Sequence, residues 1–161
     1  MSVTPTGIWS EPLDLLRTLL SECQGVQDLF GVTSSAEAKP LITLVGADAS
    51  VYSLPCIVIG SGSYDVENIA TGHTYRDNGE LYMGIETPIS PEYQGADTYG
   101  DAEFEHTNTV GAILAQMMAL ANDGGYLLVR RFRCPNGPER SDPKDGEFYQ
   151  SIWVLSWGLE K

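Results

Sequence analysis

Cationic side chains are scarce in this chain. Nine Lys and Arg stand against 22 Asp and Glu, a formal charge of −13. That shortage excludes nonspecific nucleic-acid binding, which needs clustered cations to release counterions, and docking on anionic lipid. Cysteine is also scarce. Cys23, Cys56 and Cys134 are odd in number and far apart, which makes neither a disulfide framework nor a zinc site. They read as small hydrophobes in a reducing compartment. Long hydrophobic runs are missing, the longest aliphatic run being Ile57-Val58-Ile59, so no membrane span is expected. Met1 to Ser10 has no Lys or Arg and no apolar stretch, so no secretory signal is expected there. The Walker lysine and the nucleophile-elbow spacing are missing too.

What is present suits one compact domain. The 161 residues and 42% hydrophobic content support a core without staples. The acidity is uneven. Residues 1–129 hold 17 acids and three bases, whereas residues 130–161 hold five acids and six bases. Arg130, Arg131, Arg133, Arg140 and Lys144 lie close together in the second part. A large acidic surface and a small basic one can be solvated faces. They can also pair one copy with another, and a repeated contact of that kind makes a ring when its rotation closes.

Residues 1–10 read as a flexible arm and 11–161 as a single α+β domain. Ser10 is placed to cap a helix with Glu11, Pro12 and Asp14 in its first turn, where acids and proline suit the free N–H groups. Leu13, Leu16, Leu20 and Cys23 follow the helical period, Gly25 is expected to end it, and a short turn over Val26 to Phe30 follows. Leu41 to Val45 and Leu54 to Ile59 read as strands, the second broken by Gly60-Ser61-Gly62-Ser63. Asn78-Gly79 predicts a hairpin turn between Thr71–Arg76 and the alternating strand Leu81, Met83, Ile85. An acidic connector over 89–105 leads to a second helix starting between Asp101 and Asn108. Its apolar face is Val110, Ile113, Leu114, Met117 and Ala121, and Gly111, Ala115 and Ala119 form a small-residue row suited to close packing. Tyr126–Phe132 and Phe148–Trp157 read as strands around a long loop. Both faces of the last strand are apolar, as in a central covered strand or one that meets a partner subunit. The fold class is therefore α+β, an antiparallel (mixed) β-sheet with two main α-helices packed on one face.

Few residues form a chemical constellation. Gly60-Ser61-Gly62-Ser63-Tyr64-Asp65 starts like a dinucleotide fingerprint but lacks the third glycine and a following helix, so it reads as a turn. His73 and His106 are the two histidines. His106 follows Asp101, Glu103 and Glu105, which can be a divalent-ion or general-base site or simply acids at a helix start. Arg131 and Arg133 share one strand face and Arg130 takes the other; guanidiniums there suit bidentate pairing with carboxylates. Trp153 and Trp157 read as core or as subunit interface.

Several segments together resemble the tail terminator, or tail completion, proteins of long-tailed bacteriophages. They are Pro55-Cys56-Ile57-Val58-Ile59-Gly60, then Asn78 to Pro88, the helix from Asn108-Thr109-Val110-Gly111-Ala112-Ile113-Leu114, and the closing strand Phe148 to Gly158. Element order, length and the aromatic last strand carry the resemblance over most of residues 10–160. The resemblance implies a structural protein of the virion, with no catalytic residues and no cofactor or metal. It implies a homo-oligomeric ring, usually a hexamer, that stops the tail tube and meets the tail tube protein and the head connector, while DNA passes through without specific binding. On charge, Glu92, Asp97, Asp101, Glu103 and Glu105 would face the hole. Arg130, Arg131, Arg133, Arg140, Trp153 and Trp157 would face a neighbouring subunit or the tube. Another tail or neck component, a small carboxylate or metal enzyme around Asp101–His106, and a monomeric acidic binding module are the alternatives.

Overall fold

A computed structural model describes residues 4, 10–45, 53–68, 75–122, 128–141 and 147–160. The arm expected over residues 1–10 lies outside them, apart from Thr4 and Ser10, as does His73. Helix α1 spans Glu11–Glu22. Acids and Pro12 occupy its first turn, while Ser10 makes no side-chain cap bond, so favourable charge and proline geometry start the helix rather than a hydroxyl cap. Leu16, Leu19 and Leu20 are fully buried.

The chain bends at Cys23 and resumes as α2 (Gln24–Phe30), which closes on Gly31 at a φ of 67°, a left-handed cap that favours glycine. Gly25 thus sits inside a helix instead of ending one. Its N–H donates to Gln116 Oε1 at 2.8 Å, and a Cβ on it would come within 3.1 Å of Ile113 Cγ1. Its smallness lets two helices touch.

After the one-turn α3 (Ser35–Ala38) and a 3₁₀ turn come β1 (Thr43–Leu44), β2 (Cys56–Asn68) and β3 (Tyr75–Pro88). Two 3₁₀ turns, Pro91–Tyr93 and Ala96–Thr98, fill the acidic connector. Helix α4 (Tyr99–Asn122) starts earlier than expected, and β4 (Leu128–Arg133), β5 (Glu139–Arg140) and β6 (Phe148–Glu160) end the fold. The strands order as β1-β2-β3-β6-β4, with β5 paired to β6. Among the described strands only β1–β2 is parallel. The expected α+β class with a mixed sheet holds.

Two turns expected from glycine are strand instead. Gly60 to Ser63 continues β2 with an irregularity between Ser61 and Tyr64. Asn78 and Gly79 lie within β3, opposite Asp65 and Tyr64 and beside Gly158 and Trp157. Gly79 has no positive φ. What it needs is the missing side chain, because a Cβ would meet the Trp157 ring at 2.9 Å. The β2–β3 connection falls at 69–74, outside the described residues.

One sheet face carries the core. Ile57, Ile59, Leu81, Met83, Ile85, Leu155 and Trp157 pack with Leu16, Leu20, Val26, Val110, Ile113 and Met117 of the helices. The small-residue row of α4 lies elsewhere: Gly111, Ala115 and Ala119 are exposed, so no element of the described chain uses the close approach they allow.

Candidate functional site

His106 is buried, 1% exposed, on the inner face of α4. Its Nδ1 lies 2.8 Å from Thr87 Oγ1 on β3, and its Nε2 lies 3.0 Å from Ser151 Oγ on β6. Trp153 Nε1 also donates to Ser151 Oγ, at 3.0 Å. In the neutral ring one nitrogen donates and the other accepts, and the Thr87 and Ser151 hydroxyls can each take either role, so both nitrogens are engaged. Tyr149 stacks on the ring at 5.8 Å between centroids. Burial lowers the His106 pKa to about 4, so at neutral pH the ring is an uncharged strut between helix and sheet. Burial likewise pushes the Tyr149 hydroxyl up to about 12.

The acids before His106 do not join it. Glu92, Asp97 and Asp101 are exposed. Glu105 accepts from Ser90 N at 3.1 Å and from the Ser90 hydroxyl, so it ties α4 to the end of β3. With both ring nitrogens of His106 used and Asp101 outside, the ligand set of the metal-enzyme alternative is not assembled. Among the described residues no three His, Cys, Asp or Glu side chains group as a metal site.

The second candidate group is the basic one. Arg140 is engaged within the chain: its Nη2 lies 2.7 Å from Glu147 Oε2, and its guanidinium covers the Tyr99 ring at 5.1 Å. Trp157, 3% exposed and stacked on Tyr64 at 5.9 Å, is core and offers no surface to a partner. Trp153 is half-buried against the core. Arg131 and Arg133 pair across β4–β6 with Ser156 and Val154, on the sheet face away from the helices. Arg130 was expected on the opposite face. A register shift between Val129 and Arg131, the mark of a bulge, turns it to the same side, where its guanidinium lies over Gly158. No ion pair of these three arginines occurs among the described residues.

The face they share is open in part among the described residues: Val154 and Cys56 on it are buried, and no helix packs over the rest. Val45, Tyr82 and Ile152 are 67%, 39% and 53% exposed on it. With Val58 and Gly84 they line a hollow of about 230 Å³, with Glu86 and Gln150 at one end. Half-burial there raises the Glu86 pKa. Sequence reasoning missed Val45, Tyr82, Gly84 and Ile152 as surface residues. The signal that pointed to them was the apolar character of both faces of β6. The chain matches no protein-family model, and no curated protein is significantly similar to it. No helix among the described residues is long and apolar enough to cross a membrane.

Proposed function

We propose that the chain is a structural protein that assembles into a ring and ends a phage tail tube, a tail terminator, rather than an enzyme. The observation that carries the reading is the asymmetry of its two outer surfaces. One sheet face presents Arg130, Arg131 and Arg133 beside exposed Tyr82 and Ile152. Elsewhere the surface presents Glu92, Asp97 and Asp101. Unlike patches on one protomer suit head-to-tail association, which makes a ring when its rotation closes. The element order and the aromatic closing strand, which resemble those of tail terminators, supply the tail context. Surplus negative charge fits a ring through which DNA slides, since acids around a hole repel phosphate.

Tube extension tests the reading. Purified tail-tube protein is allowed to polymerise with and without this chain, and the products are measured by electron microscopy. Shortened tubes with extra ring density at one end are expected. Tubes that lengthen normally and carry no cap overturn the reading, and long cylinders made by the chain itself would make it a tube protein.

A further inference from the structure

Five glycines lie inside described strands, on β2, β3 and β6, and four have an intramolecular reason. A Cβ would meet Val45 at 2.8 Å on Gly60, Tyr82 at 2.7 Å on Gly62, Trp157 at 2.9 Å on Gly79, and Arg130 at 2.6 Å on Gly158. Gly84 differs. Its nearest neighbour would be the Val58 carbonyl oxygen at 4.0 Å. A strand-interior glycine weakens its strand and often marks a bulge, a bend or a site where something approaches closely. Gly84 sits mid-sheet between Val58 and Ile152, at the floor of the 230 Å³ hollow, and nothing in the described chain approaches it.

Phe104 has the converse property. It is 66% exposed near the start of α4. It shares one helix face with Gly111, Ala115 and Met118, at spacings of seven, eleven and fourteen residues. Those small residues let a second surface come close beside it. Asp101, one turn away, and Glu103, next in sequence, supply negative charge around the ring. On the receiving face Arg133 and Arg131 lie on β4, two strands across from Gly84 and offset along the sheet, since Gly84 pairs with Ile152 while Arg133 and Arg131 pair with Val154 and Ser156, which puts their backbones roughly 12 Å and 16 Å away. The side chain of Arg133 spans much of its gap, and Arg131 stands behind it on the same face.

We propose that the contact repeated around the ring seats Phe104 of one copy in the Gly84 hollow of the next, with Asp101 and Glu103 turned toward Arg131 and Arg133. The occupant is a second copy because the chain itself carries both the aromatic knob and the acids that match this hollow and its arginines. Glu86 at the other end of the hollow repels the same acids, while Glu80, in one row with Ser156 and Arg131, is a carboxylate that the two arginines must outweigh. The assignment leaves Glu92 and Asp97 as the acids for the hole. It rests on the ring reading above for closure, and the experiment separates the two.

Phe104→Ala removes the knob from an exposed helix position. Gly84→Ile fills the hollow in open space, at a strand position that β-branched residues favour. Mass is measured by sedimentation velocity at low and high ionic strength, up to the highest soluble concentration. The unmodified chain is expected to form a closed ring. Each variant alone should associate about tenfold or more weakly, as truncated aromatic anchors do. Mixed, the two should form a 1:1 dimer and stop, since each keeps the face that the other lacks. A monomeric unmodified chain, a single variant that assembles normally, or a mixture that stays monomeric overturns the contact.

If either variant melts early, charge exchange gives the same decision. Arg131→Glu with Arg133→Glu should abolish assembly, and mixing it with Asp101→Lys plus Glu103→Lys should restore pairing; failure of that rescue overturns the contact. Tube capping is scored separately. Normal capping by Phe104→Ala overturns the contact and keeps the terminator reading. A 1:1 dimer from the mixture with no capping by the unmodified chain keeps the contact and overturns the terminator.

Discussion

Alternate residues of the same strands build two unlike faces. On β3, Leu81, Met83 and Ile85 are buried under helices, while Tyr82 and Gly84, between them, line an open hollow. On β6, Leu155 is core and Ile152 is exposed. Apolar side chains occur on both faces, so hydrophobicity alone does not decide which is core. What lies above each face decides it. The helix side is filled by Leu16, Leu20, Ile113 and Met117. The open side has arginines that make no ion pair among the described residues, beside exposed Tyr82 and Ile152.

The largest test of that contrast is a pair of truncations in adjacent rows. Met83→Ala opens a cavity in the sealed face and should cost about 2–5 kcal/mol in urea unfolding. Ile152→Ala removes a side chain already half in water, and should change the stability of the monomer by about 0.5 kcal/mol or less. Equal losses would mean that the open face is packed like the core.

Acid should act on the covered face through His106. His106, with a pKa lowered to about 4 against an ordinary 6.5, stays neutral in the folded chain while the unfolded chain takes up a proton. Its contribution is therefore present above pH 6.5 and is lost as pH falls from 6.5 to 4, by up to about 3 kcal/mol. His106→Asn should flatten that part of the stability profile. An unchanged slope would show that the histidine is not the group that titrates.

The helices, the α+β class and the last strand were legible because the 3.6-residue and two-residue periods come directly from the chain. Glycine misled. Turn rules read it as a source of positive φ, whereas Gly60, Gly62 and Gly79 give up a side chain so that Val45, Tyr82 and Trp157 can lie across the sheet. That demand comes from neighbouring segments, and no local window contains it. Arg131 and Arg133 were legible as a shared face, but the bulge that turned Arg130 to join them was not. Trp157 was left open between core and interface because alternation says which residues share a face without saying which face is covered. Phe104 was overlooked inside an acidic stretch, and the bond from Ser90 to Glu105 depends on a chain reversal that spacing does not reveal.

The smallest effect sharpens the contrast most closely, because it uses one substitution at two positions of one strand. Gly79→Ala drives a methyl group into the Trp157 ring and the Ser63 carbonyl, both at 2.9 Å. Overpacking of that kind costs about 1–3 kcal/mol. Gly84→Ala meets nothing closer than 4.0 Å and has no positive φ to protect. There the methyl group only restricts the unfolded chain, which stabilises by about 0.4–1 kcal/mol. Thermal melts of the two variants at a concentration where the protein is monomeric should therefore move in opposite directions. Loss of stability at both positions would mean that Gly84 serves the fold of the single chain, and its smallness would then need no partner to explain it.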